Sequence, residues 1–193
     1  MAEATASGAV DVPWAEAVDR VLTALAFAAE RHRGQRRKGL THEPYINHPI
    51  RVVTLLWEVG GVREVTTLVA ALLHDVVEDT ATTLDEVAAR FGAEVAGIVA
   101  EVTDDKSLPK ATRKRLQIEH APNASPAAKL VKLADKIHNV KEIGSAPPAG
   151  WSRARREAYL DWAEAVVTAL RGINPALESA FDEALVAARA AIA

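Results

Sequence analysis

The segment Leu72-Leu73-His74-Asp75-Val76-Val77-Glu78-Asp79-Thr80 gathers one imidazole and three carboxyls within a short stretch. On a helix, residues four apart stack on one face, so the sequence predicts His74 over Glu78 and Asp75 over Asp79. Acidic side chains at a helix C-terminus oppose the macrodipole by about 0.3–1 kcal/mol each, and three together call for a cation. The residues before them are almost wholly apolar, so this charged end is expected to face a cavity. In a second segment, Leu130-Val131-Lys132-Leu133-Ala134-Asp135-Lys136-Ile137-His138-Asn139-Val140, the apolar stripe is Leu130, Leu133, Ile137 and Val140. Lys132, Asp135 and Asn139 share another face. Alone, an aspartate flanked by lysines is a surface ion pair of little consequence. Beside a His-Asp pair short of ligands, Asp135 becomes a natural further donor. His48 precedes Pro49, and the residue before a proline is driven toward extended geometry, which aims its imidazole from a defined place.

Two imidazoles and two carboxylates from His48, His74, Asp75 and Asp135 make a borderline-to-hard site, compatible with Mn²⁺, Fe²⁺, Zn²⁺ or Ni²⁺. In six-fold coordination two positions stay open. One suits a water whose pKa the cation brings down toward about 7, the other a phosphoryl oxygen polarised for attack. Glu78 and Asp79, not needed as ligands, are expected to orient or deprotonate that water and to protonate the leaving group. The chemistry is metal-dependent phosphohydrolysis. The chain has no cysteine, which excludes a thiolate metal site, a cysteine nucleophile and a disulfide framework.

The elements expected to carry these residues are helical. Alanine recurs throughout, and β-branched runs and aromatic alternation are scarce, which favours helices over strands. Asp11 and Pro13 are start signals for a first helix to about Arg33, with Val18, Val21, Leu22, Leu25 and Ala29 at helical spacing. A loop from Gly34 to Asn47 leads into His48-Pro49, where proline at the first helical position predicts His48 as N-cap. Gly60-Gly61 breaks the chain before a helix from about Arg63 into the His-Asp segment. Thr83 with Glu86 has the capping-box pattern, and Gly92 separates that helix from one reaching Val102. Ser125-Pro126 starts a helix over 127–143, ended by Pro147-Pro148-Ala149-Gly150. Asn174-Pro175 splits the remainder into two helices.

At 193 residues, 49 % hydrophobic and 25 % charged, the chain fits one compact domain, with residues 1–10 as a flexible tail and 11–193 as the folded unit. The longest apolar run, Leu68 to Leu73, is far below the roughly 20 residues a membrane helix needs, and the N-terminus lacks a signal-peptide pattern, so a cytoplasmic protein is expected. The net charge of -3 conceals three basic clusters: Arg31 to Lys38, Lys110 to Arg115, and Arg153 to Arg156. The second and third read as solvated helix faces. The first, which holds Gly34 and runs toward His48, reads as an anion grip. Few aromatics are available to stack bases, so nucleic-acid binding is disfavoured against capture of a small phosphorylated ligand.

The order His48, His74-Asp75, Asp135 resembles the HD-domain phosphohydrolases, named for a consecutive His-Asp pair. More closely, Arg36-Arg37-Lys38, Pro44-Tyr45-Ile46-Asn47-His48-Pro49, LLHDVVEDT and KLVKLADKIHN resemble the hydrolase domain of the RelA/SpoT family, in particular its stand-alone small alarmone hydrolases, called metazoan SpoT homologues in animals. The resemblance covers roughly Trp14 to Leu170 and implies an all-α HD-domain helical bundle. It implies removal of the 3′-pyrophosphate from (p)ppGpp, giving GDP or GTP and pyrophosphate, with Mn²⁺ as cofactor. It carries His48, His74, Asp75 and Asp135 onto the metal ligands and Glu78 and Asp79 onto the catalytic pair. Arg37 and Lys38 match residues lining the base, Asn139 one near the ribose, and Tyr159 a substrate contact. The chain is too short for the synthetase and regulatory domains of long family members.

His32, His42 and His120 read as surface or core-packing residues, and His138 points about 60° away from Asp135 at helical spacing. Trp14, Trp57, Trp151 and Trp162 read as packing anchors. Other readings are a phosphatase acting on the 2′-phosphate of NADPH or on an adenosine alarmone, and a non-catalytic nucleotide-binding module.

Overall fold

The apolar residues of the chain close around one long central helix. The computed structural model describes residues 12–39 and 42–193; the expected tail over 1–10 and the start signal Asp11 lie outside the described residues. In order come α1 (Val12–Arg31), α2 (Asn47–Glu58), α3 (Val65–Leu73), α4 (Val76–Asp79), α5 (Leu84–Phe91), α6 (Ala93–Val102), α7 (Lys110–His120), α8 (Pro126–Ser145), α9 (Arg153–Thr168) and α10 (Pro175–Ile192). Among the described residues β structure is confined to two isolated bridges, Arg36 with Pro44 and Gly39 with Pro148. The all-α expectation holds. α8 packs against α2, α3, α6, α9 and α10, and its Val131, Leu133, Ala134, Ile137, Val140 and Ile143 are buried. α3 is buried from Thr66 to Leu73, so the helix that leads into the His-Asp pair lies wholly within the core.

The caps follow from residue type. The Ser125, Ser152 and Asn174 side chains accept from the N–H groups of Ala128, Arg155 and Leu177 at 3.2, 3.3 and 3.0 Å, each satisfying a donor the helix itself leaves orphaned. Thr83 accepts from the Glu86 N–H at 3.2 Å, but the reciprocal half of the capping box is absent because Glu86 pairs with Arg31 across the fold. Gly92, at φ +93°, makes the turn between α5 and α6 in a region costly for other residues. At Gly144 a Cβ would come within 2.9 Å of the Ala188 Cα, so a bare glycine lets α8 and α10 touch backbone to backbone.

Four expectations need correction. α1 ends at Arg31 rather than near Arg33. α2 begins at Asn47, one residue before the expected cap: the His48 N–H already donates to the Tyr45 carbonyl at 2.9 Å, and Ile46 is helical. The helix through the His-Asp pair is not continuous; it breaks between Leu73 and Val76, with Asp75 at φ -102°, ψ -6°. Trp14 and Trp57 are 66 % and 47 % exposed, not core anchors.

Candidate active site

The break between α3 and α4 turns His74 and Asp75 toward α8, and Pro49 at the start of α2 brings His48 to the same point. His48 Nε2 lies 3.1 Å from His74 Nε2, 3.2 Å from Asp135 Oδ1 and 3.5 Å from Asp75 Oδ2. His74 Nε2 lies 3.0 Å from Asp75 Oδ2 and 4.0 Å from Asp135 Oδ1. Ligands held at about 2.1 Å around one octahedral ion are separated by about 3.0 Å when adjacent and about 4.2 Å when opposite. The spacings among His48, His74 and Asp135, and those from Asp75 to the two imidazoles, fall in that range, while Asp75 stands outside the group whose ligand atoms all lie close enough for one ion. His48, His74 and Asp135 by themselves each offer one ligand atom, mutually within 4.8 Å.

The surroundings aim each donor. The His74 ring pairs its Nδ1 with the Ala71 carbonyl at 2.8 Å, leaving Nε2 for the cluster. His48 Nδ1 meets His138 Nδ1 at 2.8 Å. Burial, aided by the charge of neighbouring His48 and Arg37, pushes the His138 pKa down to about 3; in the tautomer pair where the neutral His138 Nδ1 accepts, the His48 lone pair stays on Nε2. Tyr45 donates its hydroxyl to Asp75 Oδ2 at 2.6 Å and approaches Asp79 Oδ2 at 3.1 Å. Asp135 accepts from Asn139 Nδ2 at 2.5 Å and from Lys136 Nζ at 2.9 Å. The field is strongly negative. Burial opposes a charge on His74, yet Asp75 and Asp135 raise its pKa to about 9. Burial also favours protonated forms of Asp75 and Asp135, but His74 and His48 for the first, and Lys136 with His48 for the second, hold both below the usual carboxylate range. Burial moves His48 the other way, down from its ordinary value.

The Asp79 N–H donates to the Asp75 carbonyl at 2.8 Å, and the two side chains meet at the Tyr45 hydroxyl, so Asp75 and Asp79 keep the expected four-residue relation across the break. Glu78 accepts from the Asp104 N–H at 3.0 Å and faces Arg113 at 3.9 Å. Burial raises its pKa; the Asp104 N–H opposes this, and the charges of Asp104, Asp75 and Asp79 reinforce it. Asp79 is paired with Lys106 and lies beside Tyr45, while Gln35 donates to its carbonyl at 2.7 Å.

Two connected cavities open here. One of ≈290 Å³ holds the four donors with Glu78, Asp79, Lys132, Asn139 and Tyr159. The other, ≈430 Å³, is lined by Arg36, Arg37, Lys38, Glu142, Trp151 and Tyr159 among others. Arg37 donates to Asn139 Oδ1 at 2.7 Å and to Glu142 at 3.1 Å through Nε, so a chain of hydrogen bonds runs from Glu142 through Arg37 and Asn139 to Asp135. Lys38 is exposed at the rim. Tyr159 stands between Trp151 and Trp162, with ring centroids 5.7 and 5.3 Å away, and burial pushes its pKa up to about 12. All ten sequence-selected residues therefore border these two cavities.

Tyr45, His138, Lys136, Lys106 and Arg113 were not singled out by sequence. Tyr45 is uncharged, and the others lie on segments whose facing is set by packing. The second basic cluster is also not merely a solvated face: Arg115 pairs with Glu119 in solvent, but Lys114 Nζ lies 4.5 Å from the Trp162 ring centroid. In the third, Arg153 pairs with Glu157, whereas Arg155 covers Trp151 at 4.3 Å.

Comparison with known proteins gives a consistent result. The HD domain family matches residues 24–164. The chain is 55 % identical over 161 residues to human guanosine-3′,5′-bis(diphosphate) 3′-pyrophosphohydrolase MESH1, an overlap of 83 % of this chain and 90 % of that protein. It is 37 % identical over 146 residues to the bifunctional (p)ppGpp synthase/hydrolase SpoT of Escherichia coli, covering 72 % of this chain but 20 % of SpoT. A solved structure described as a metazoan ortholog of SpoT that hydrolyzes ppGpp superposes with a TM-score of 0.84 at 45 % identity, over 93 % of this chain and 96 % of that one.

Proposed function

The chain belongs to the HD-domain family, and from that premise we propose that it is a guanosine-3′,5′-bis(diphosphate) 3′-pyrophosphohydrolase, with residues 11–193 as the hydrolase domain and Mn²⁺ as the working cation. The observation that carries the reading is the convergence of His48, His74, Asp75 and Asp135 beside Glu78 at the inner end of a cavity large enough for a nucleotide, in a chain so similar to hydrolases of that substrate. Those four residues would hold the cation, which when bound polarises the phosphoryl oxygens and acidifies water. Water adds to the phosphorus bonded to the ribose O3′, the P–O3′ bond breaks, O3′ gains a proton, and pyrophosphate departs with the water oxygen. Glu78, whose pKa burial raises above that of a free carboxyl, is suited to take and return the proton. Asp79, anchored by Lys106 and facing Tyr45, orients the water beside it. Arg37 and Lys38 line the space for the base, Asn139 reaches the ribose, and Tyr159 closes the wall between the cavities.

No helix among the described residues is long and apolar enough to cross a membrane, in keeping with a small nucleotide substrate and a cytoplasmic site of action. The test is pyrophosphate release from ppGpp by metal-free protein with Mn²⁺ restored, beside Asp75→Ala and an NADPH control. Release from ppGpp that the variant lacks is the expected result. Phosphate release from NADPH alone overturns the substrate, and no turnover of either overturns the activity.

A further inference from the structure

Lys132, Asp135, Asn139 and Glu142 follow one another on α8 at intervals of three, four and three residues. They share a face and, at about 1.5 Å per residue, spread over about 15 Å. The last three are tied together through Arg37. Lys132 is not. Its Nζ reaches the Val102 carbonyl at 3.5 Å, and among the described residues no carboxylate oxygen pairs with it within the 4.0 Å of an ion pair. Burial, with Lys136 adding to it, lowers its pKa to about 8 against the pull of Asp104, Asp135 and Glu78. A half-buried ammonium with one long hydrogen bond is costly to maintain without a counter-ion. This one borders the cavity that holds the four metal donors.

Direction along α8 identifies the anion. The larger cavity adjoins Asn139 and Glu142 but not Lys132, so a nucleoside seated there lies on one side of Asp135 and Lys132 on the other. With the phosphorus under attack at the metal donors, the part of the substrate beyond it is the distal phosphoryl group of the 3′-diphosphate. We propose that Lys132 binds that distal phosphoryl group, before cleavage as part of the substrate and afterwards as one end of pyrophosphate. Resting on the 3′-pyrophosphohydrolase reading, this makes Lys132 the residue that separates a diphosphate from a monophosphate at the reacting position.

The experiment is calorimetric titration of the Mn²⁺-loaded protein, with Mn²⁺ in excess, by pyrophosphate, orthophosphate and GDP in turn, for wild type, Lys132→Met and Lys132→Arg. A hydrogen bond between charged groups corresponds to about tenfold or more in affinity. Lys132→Met is expected to weaken pyrophosphate by about that factor while GDP and orthophosphate change less than about twofold, and Lys132→Arg to recover most of the loss. Unchanged pyrophosphate binding, or equal weakening of all three ligands, overturns the proposal. Thermal melts establish folding, and Lys132→Gln, which keeps a polar end, replaces the methionine variant if that one melts early. Wild type that releases no pyrophosphate from ppGpp refutes the activity, whereas wild type that turns over ppGpp with variants indifferent to pyrophosphate refutes Lys132 alone.

Discussion

Tyr45→Phe isolates one atom of the metal site's support. The Tyr45 hydroxyl carries a single proton, and the 2.6 Å contact to Asp75 Oδ2 against 3.1 Å to Asp79 Oδ2 assigns that proton mainly to Asp75. Burial and the two carboxylates raise the phenol pKa far above its ordinary value, so the group donates at every pH the protein survives. The ring itself is kept by phenylalanine, including its stacking on His32 at 4.7 Å and the Arg37 guanidinium 5.4 Å from its centroid, so the fold has little reason to change.

A hydrogen bond to a charged group contributes about 1.5–3 kcal/mol, and losing a support of a metal ligand costs about 10–100-fold in metal affinity. The two figures agree, since each 1.4 kcal/mol is tenfold. Titration of Mn²⁺ into metal-free Tyr45→Phe should therefore give a Kd about 10–100 times that of wild type, with kcat recovering substantially once the cation saturates. A Kd equal to wild type refutes the reasoning about Asp75. A variant that binds metal normally yet stays slow at saturation would move the hydroxyl's role to Asp79.

Glu78→Gln is expected to lower kcat by about 10²–10⁴-fold, the usual contribution of an acid–base group. It should also raise the Tm of the metal-free protein at pH 7.5. The Glu78 pKa is raised above its ordinary 4.5, so the stability contributed by its protonated form is complete below that value and is lost as pH rises through the raised one; the gain from glutamine should vanish near pH 4, and a melt difference independent of pH would contradict this. Chelation should lower the Tm: a cation present at 100 times its Kd stabilises by about 2.7 kcal/mol, or about 5–11 °C for a chain of this length. A melt indifferent to EDTA would mean that the four donors hold no cation in solution.

Much of the fold was written in local sequence. Helix starts at Ser125-Pro126 and Asn174-Pro175, the break at Gly60-Gly61 and the turn at Gly92 are punctuation read from one or two residues, because caps and φ preferences act within a few bonds. The donors of the candidate metal site were legible for a similar reason. His74 and Asp75 are marked by their adjacency, the spacing Asp135–Asn139 needs only helical geometry to share a face, and His48 is marked by its proline. What sequence could not supply was the break between α3 and α4. Its helical periodicity continues through Asp75, while in the fold α3 ends at Leu73, against α2 and α8. Nor could sequence supply the Asp104 N–H that Glu78 accepts from. The partners Tyr45, His138 and Arg113 were likewise hidden, because each reaches its contact across 30 or more residues of sequence. Residue type and spacing determined which groups the chain offers to a cation. Packing of α2, α3, α7 and α8 decided which way each group points, which proton it carries, and that Lys132 sits half-buried beside the metal donors without a counter-ion, since burial and charge are sums over neighbours that only the folded chain brings together.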